Sequence, residues 1–208
     1  MPLLESLVGA TVIGLTRLFT GNRVLWREPP AAGRRVYFGN HTSHGDFLLI
    51  WAALPAAVRA RTRPVAAADY WGRDALRRYL IKRVFNGVLI EREAAQRDQD
   101  PVGLMVDAID AGAALILFPE GRRNQGAEML PFKTGIYHLA RQCADLEFVP
   151  VWLENTNRAM PKGHFLPLPL LCTTRFGAPL RLAAGEDKQV FLERARAAVL
   201  ALAPAAAP

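Results

Sequence analysis

Two short polar segments hold the side chains able to do chemistry. The first reads Asn40-His41-Thr42-Ser43-His44-Gly45-Asp46, which sets an imidazole five residues before a carboxylate. On a regular helix that spacing puts the two side chains about 140° apart, so His41 and Asp46 meet only if a turn intervenes. Gly45 and its polar neighbours suit such a turn. In contact, the Asp46 carboxylate would hold the His41 ring in one tautomer, and the free ring nitrogen would take a proton from an attacking hydroxyl. The same residues admit two other readings. Asp46 or Ser43 would cap a helix and leave His41 a turn residue. Alternatively His41, His44 and Asp46 would belong to a metal cluster, although no further Cys, His or Asp group completes a ligand set and no metal is expected.

The second segment is Phe118-Pro119-Glu120-Gly121-Arg122-Arg123-Asn124, followed by Leu130-Pro131-Phe132-Lys133-Thr134-Gly135. An apolar run here delivers one carboxylate, a flexible glycine and two guanidiniums to a loop. Guanidiniums grip phosphate with two parallel hydrogen bonds, and glycine lets the backbone approach a ligand closely. Thr134 is placed to cap a helix whose N-terminus, with Lys133 beside it, suits an anion. Read alone, the Arg-Arg-Glu cluster is better taken as a solvated ion-pair loop.

What must position these segments is an alternation of short apolar runs and helical stretches, the pattern of an α/β domain. Strands are expected at 35–39, 64–68, 88–91, 114–118, 148–153 and 173–176, and helices at 47–58, 73–85, 102–111, 134–143 and 187–202. The runs ending at Gly39 and Phe118 lead straight into the two polar segments. In open α/β sheets, sites form beyond the carboxyl ends of strands.

The chain has 208 residues, 51% of them hydrophobic and 22% charged, which excludes a disordered chain, a collagen-like repeat and a disulfide-stapled miniprotein. Its net charge of +7 attracts phosphates, anionic lipid or nucleic acid. Basic-aromatic interleaving and zinc-finger or helix-turn-helix signatures are missing, so nucleic acid is not expected. Cys143 and Cys172 stand far apart without a C-x-x-C, which suits buried thiols in a reduced compartment. On a helical wheel, residues 3–19 gather Leu3, Leu4, Leu7, Val8, Val12, Leu15, Leu18 and Phe19 on one half, and Glu5, Ser6, Gly9, Thr16 and Arg17 on the other, with Ile13 on the wrong side. At about 25 Å this helix falls short of a hydrocarbon core of about 30 Å, so it is expected to dock on its own domain or to lie in a membrane interface. The organisation expected is residues 1–28 as helix and linker, 29–203 as the domain, and 204–208 as a frayed tail.

Together the two polar segments resemble the phospholipid/glycerol acyltransferase family, the lysophosphatidic acid acyltransferases and their relatives. The first motif of that family, N-H-x-S-x-x-D, is met at Asn40, His41, Ser43 and Asp46. Its third, F-P-E-G-T-R-S, is met at Phe118, Pro119, Glu120, Gly121 and Arg123, with Arg122 where the family has threonine and Asn124 where it has serine. A glycine-led strand ending in an acidic residue and arginine is similar to 86–92, closing on Glu91-Arg92, and the fourth motif matches Val149-Pro150-Val151.

The resemblance implies a glycerol-3-phosphate acyltransferase-like single α/β domain, with a central mixed sheet flanked by helices and an N-terminal amphipathic membrane-interface helix. It implies acyl transfer from acyl-CoA or acyl-carrier protein, as co-substrate and without a further cofactor, to the hydroxyl of a lysophospholipid, above all 1-acylglycerol 3-phosphate. Glycerol 3-phosphate or a lyso-ornithine lipid are the alternative acceptors, and a non-catalytic basic membrane-binding module is the alternative of another class. By the same resemblance His41 is the general base and Asp46 its orienter, with no acyl-enzyme. Arg92, Glu120, Gly121, Arg123 and Lys133 then bind substrate, while Asn40, Ser43, Phe118, Pro119 and Pro150 support the motifs. The expected location is peripheral or monotopic, on anionic lipid at the cytoplasmic face of the cell membrane. For the polar stretch 155–162, with Asn155, Arg158 and Lys162, the sequence offers no mechanism.

Overall fold

The computed structural model describes residues 3–30, 33–43, 45–91, 99–124, 126, 128–155 and 171–204. Seven strands form one sheet: β1 (Arg23–Trp26), β2 (Arg35–Gly39), β3 (Thr62–Ala67), β4 (Val88–Ile90), β5 (Ala114–Leu117), β6 (Glu147–Glu154) and β7 (Thr173–Phe176), in the spatial order β1-β7-β6-β2-β5-β3-β4. β6, β2, β5, β3 and β4 run parallel. β7 pairs antiparallel with β6, and β1 parallel with β7, so the sheet is mixed as expected.

The central strands are covered on both faces, which is why they are near-continuous apolar runs. Val36 and Phe38 of β2 enter one core cluster, with Leu115 and Phe148, while Tyr37 enters the other, with Ile116 and Val151. The first cluster is closed by α6 (Pro101–Asp110), α7 (Gly135–Gln142) and α8 (Lys188–Leu200). The second lies under α1 (Leu3–Thr20), α2 (Asp46–Ala53) and a π-helical turn at Leu80–Val84. This three-layer packing fixes the carboxyl ends of β2, β5 and β6 side by side. Phe38 pairs with both Leu117 and Pro150, so the two polar segments leave adjacent strands at one edge.

Three sequence expectations change. The helix expected at 47–58 is two helices, because Leu54 precedes Pro55 and is extended (ψ 142°), so α3 (Ala56–Arg59) starts afresh. The stretch 73–85 divides into α5 (Ala75–Tyr79) and the π-helical turn, preceded by α4 (Ala68–Trp71). The boundary at residue 29 falls after a strand of the sheet: β1, four residues with no clean apolar alternation, lies in the stretch read as linker.

α1 is one residue longer than its sequence pattern indicates, and among the described residues it is long and apolar enough to cross a membrane by length and composition alone. It packs on the domain through an arc that mixes both halves of the wheel. Val8, Val12 and Ile13 meet the second core cluster, and Glu5, Gly9 and Thr20 are buried. Gly9 lies in this arc, where a Cβ would stand 3.5 Å from the Trp51 ring, an ordinary packing distance. The leucines face out: Leu3 is 86% exposed, Leu7 64% and Leu18 74%.

Candidate active site

The turn between β2 and α2 brings His41 and Asp46 together. Asp46 is fully buried, and its Oδ2 lies 2.9 Å from His41 Nδ1. The same oxygen accepts the backbone N–H groups of Thr42 (2.7 Å) and Ser43 (2.8 Å). Because a carboxylate oxygen only accepts, this geometry puts the proton on Nδ1 and leaves Nε2 as the ring's basic nitrogen. The capping alternatives do not occur: Gly45 occupies the N-cap position of α2, and no side chain caps it. Ser43 Oγ instead accepts the Gly45 N–H, inside a buried turn. His44 lies outside the described residues. Among the described residues no group of three or more His, Cys, Asp or Glu could hold a metal ion.

Asn40 clasps the neighbouring strand. Its amide nitrogen donates to Leu153 O (2.9 Å) and its oxygen accepts Leu153 N–H (2.8 Å), which locks the end of β2 to β6 just before His41. Gly39 permits this approach, since a Cβ there would stand 2.6 Å from Val151 O. Pro150 sits within β6 opposite Phe38, and its carbonyl accepts Gly177 N–H.

The loop after β5 is bound to the histidine turn. Glu120 is 2% exposed; its Oε1 accepts the His41 backbone N–H (2.8 Å) and its Oε2 the Leu130 N–H (3.1 Å). Both oxygens thus hold backbone, where the sequence had suggested a substrate contact. Burial pushes the Glu120 carboxyl above its ordinary range, against the opposing pull of those two amides. Phe118 stacks on the His41 ring, with centroids 4.4 Å apart and planes 15° off parallel. Asn124 N–H donates to His41 O at 2.7 Å.

Beside this lattice lies a groove of about 600 Å³, lined by Phe118, Pro119, Gly121, Arg122 and Lys133, by Thr134, Gly135 and His138 of α7 and its start, and by Met105 and Ile90 from the facing elements. Gly121 adopts φ +71°, and a Cβ there would collide with Lys133 Cε at 2.6 Å, so the lysine side chain lies across the glycine. Thr134 stands at the N-cap of α7 but makes no side-chain cap bond. Of the two guanidiniums, Arg122 lines the groove and Arg123 is not among its described lining residues. Arg92 lies outside the described residues, as do Arg158 and Lys162. Asn155 donates to Leu171 O across the stretch between them. His138 and Met105 were not singled out by sequence; the i, i+4 spacing of Thr134 and His138 on α7 was the available signal.

Both thiols are buried, and desolvation pushes Cys172 up to about 11, with Asp46 and Glu154 adding to the shift. Neither is a nucleophile in waiting.

A family model described as Acyltransferase matches residues 23–154. The chain belongs to this acyltransferase family. Individual acyltransferases carry the likeness further. A protein named 1-acyl-sn-glycerol-3-phosphate acyltransferase from Limnanthes douglasii is 30% identical over 152 residues, 71% of this chain and 50% of the relative. One of the same name from Haemophilus influenzae is 26% identical over 60% of this chain and 49% of its own length. The crystal structure of the 1-acyl-sn-glycerophosphate acyltransferase of Thermotoga maritima superposes with a TM-score of 0.69 at 19% identity, over 95% of this chain and 79% of that one. The chain spans about half the length of the curated relatives it matches. The likeness to the solved acyltransferase shows a shared fold.

Proposed function

We propose that this protein moves a fatty acyl group from a thioester, acyl-CoA or acyl-carrier protein, to the free hydroxyl of a lysophospholipid, with 1-acylglycerol 3-phosphate as acceptor and phosphatidic acid as product. The contact of His41 Nδ1 with the buried Asp46 oxygen at 2.9 Å carries this reading, because it leaves one basic nitrogen at the end of a rigid strand. Relatives named for that acceptor support the choice.

The chemistry needs no covalent enzyme intermediate. His41 Nε2 takes the acceptor hydroxyl proton as that oxygen attacks the thioester carbonyl carbon. Collapse of the tetrahedral adduct breaks the C–S bond, and the departing thiolate receives the proton from the imidazolium. An ester and a free thiol result, and His41 is neutral again. Asp46 stabilises the imidazolium between these steps. Glu120 acts as a positioning residue through the His41 amide. Lys133 and the cationic loop face the acceptor's phosphate. Ser43, buried and bonded to Gly45, is a turn residue.

The substrates of such a reaction live in a bilayer, and α1 suits a monotopic seat at the cytoplasmic face. One flank of the helix is committed to the domain while its leucines are exposed, which favours lying along the interface. Basic residues of the adjoining stretch, Arg73, Arg78, Lys82 and Arg83, would add attraction to anionic lipid of about 1 kcal/mol each at the surface.

Purified protein given acyl-CoA and, separately, 1-acylglycerol 3-phosphate, glycerol 3-phosphate or lyso-ornithine lipid tests the proposal. Free thiol and a mass-detected phosphatidic acid should appear together with the first acceptor. Thiol release without any acylated acceptor overturns it.

A further inference from the structure

We propose that Arg17 and Arg59 form a binding site for the headgroup phosphate of an anionic phospholipid, at the end of α2 farthest from Asp46. The site deepens the membrane-seated reading given above and rests on it.

Two guanidiniums meet at one helix end. Arg17 of α1 donates from Nη2 to Ala52 O at 3.1 Å, and Arg59, the last residue of α3, donates from Nη1 to Leu54 O at 2.9 Å. These carbonyls stand two residues apart, where α2 stops before Pro55 and its last acceptors lack donors from the helix itself. Arg59 also lies over the Trp51 ring, 5.5 Å from its centroid. The fold thus sets both side chains in advance, which spares a ligand the cost of ordering them.

What the pair lacks is a counter-ion. Among the described residues neither guanidinium pairs with a carboxylate, whereas Arg34, Arg35, Arg181 and Arg194 each do. Burial, and then the positive charge of Arg17, lower the Arg59 guanidinium from its ordinary range. Holding a carbonyl at a helix C-terminus takes one N–H from each side chain, and the remaining N–H groups are left for a ligand. Two like charges with donors to spare fit an anion, and guanidinium matches phosphate oxygens with paired hydrogen bonds.

The surroundings choose the source of that anion. Leu15 and Leu18, on either side of Arg17 in sequence, are both exposed, and a Cβ on Gly14, one turn before it, would meet nothing within 4 Å. A phospholipid whose headgroup lies on Arg17 places its acyl chains beside these leucines, whereas a soluble phosphate leaves them in water. The length of α2, about 12 Å, separates the pair from Asp46, so the lipid held here is not the acceptor being acylated.

Arg17→Gln and Arg59→Gln remove the charge and keep an N–H for the carbonyl, while Arg17→Lys and Arg59→Lys keep the charge and lose the fork. Lys82→Gln, one charge removed from the basic stretch, is the control, and circular dichroism checks folding. Calorimetry measures binding of monomeric dihexanoyl-phosphatidylglycerol, of its deacylated headgroup glycerophosphoglycerol, and of dihexanoyl-phosphatidylcholine. Flotation uses phosphatidylcholine vesicles with and without phosphatidylglycerol. Each glutamine variant should bind the phosphatidylglycerol probe about ten- to a hundredfold more weakly, each lysine variant should recover part of that loss, and Lys82→Gln should stay within about threefold. Wild type should bind the other two probes more weakly than the first. Flotation should fall in the glutamine variants only where phosphatidylglycerol is present. Unchanged probe affinity in both glutamine variants, or an equal loss in Lys82→Gln, overturns the site. Equally tight binding of the deacylated headgroup means a soluble-anion site and overturns the lipid assignment. If wild type binds the probe through these arginines yet floats with no vesicle, the site stands and the membrane seat fails.

Discussion

The buried carboxylate of Glu120 grips the backbone of His41, not its ring. It accepts the His41 N–H at 2.8 Å with one oxygen and Leu130 N–H at 3.1 Å with the other. The family's acidic motif residue is thereby a brace between two loops, and His41 is held from both sides: Asp46 orients the imidazole, and Glu120 fixes the peptide that carries it.

Replacing Glu120 with glutamine puts an N–H against one of those amides. The variant should lose about 1 to 3 kcal/mol of stability and transfer about ten- to a hundredfold more slowly, with KM values little changed. It should also flatten the pH response. Burial raises the folded carboxyl above its unfolded value, so the folded state holds the proton more tightly. The stability this contributes is complete below the unfolded value near 4.5 and is lost as pH rises through the folded one. Urea titrations from pH 4 to 7 should show a downward slope in wild type that Glu120→Gln lacks. Equal slopes would show that this carboxyl does not set the pH response.

The sequence disclosed the His41 and Asp46 pair because both lie in one turn, where local spacing and Gly45 constrain geometry. It did not disclose the Asn40 clasp on Leu153, since 113 residues separate the partners and only the β2 and β6 pairing brings them together. The brace by Glu120 was hidden for the same reason: a motif carboxylate reads as a ligand group until the fold shows each of its oxygens on a backbone amide. The wheel of α1 found the leucines but set the packing arc wrongly. The arc that packs combines Val8, Val12 and Ile13 with Glu5, Gly9 and Thr20, and a hydropathy wheel sets those last three on the solvent side.

His41→Ala should keep the fold and lose about 10² to 10⁴ of the transfer rate, the usual worth of general-base catalysis. Asp46→Asn should fall between, because an amide oxygen can still take the Thr42 and Ser43 N–H groups while the imidazolium loses its counter-charge. Thiol release assays with saturating acceptor decide this. A His41→Ala protein retaining a tenth of wild-type turnover removes His41 as the base.

Neither cysteine should react with a thiol reagent at pH 8 while the chain is folded, and both should react after urea. Cys172 is fully buried with its thiol pushed up to about 11, and Cys143 is also raised by burial. Since the folded value of Cys172 exceeds its ordinary 9.0, the stability it contributes holds below pH 9 and is lost as pH climbs through about 11. Rapid labelling of native protein, with loss of activity, would mean that a thiol is exposed and chemically engaged.

Membrane attachment should depend on the outward leucines of α1 rather than on the helix as a whole. Deleting α1 would strip Val8, Val12 and Ile13 from the core and break the bond from Cys172 N–H to Thr20 O, so point changes are the cleaner probe. Leu7→Glu with Leu18→Glu alters two exposed positions and leaves the packing arc intact. Each leucine kept out of the bilayer forfeits about 1.5 to 3 kcal/mol, so the double variant should bind neutral vesicles about a hundredfold or more weakly. Anionic vesicles should still draw it at low salt through the basic residues near the π-helical turn, and salt should release it, because surface charge is screened over about 10 Å at 0.1 M. Wild type should stay partly bound in the same salt, since screening does not weaken apolar burial. Flotation of both proteins, with circular dichroism to confirm folding, separates the two contributions. A folded double variant that floats with neutral vesicles as well as wild type does would show that these leucines do not enter the bilayer.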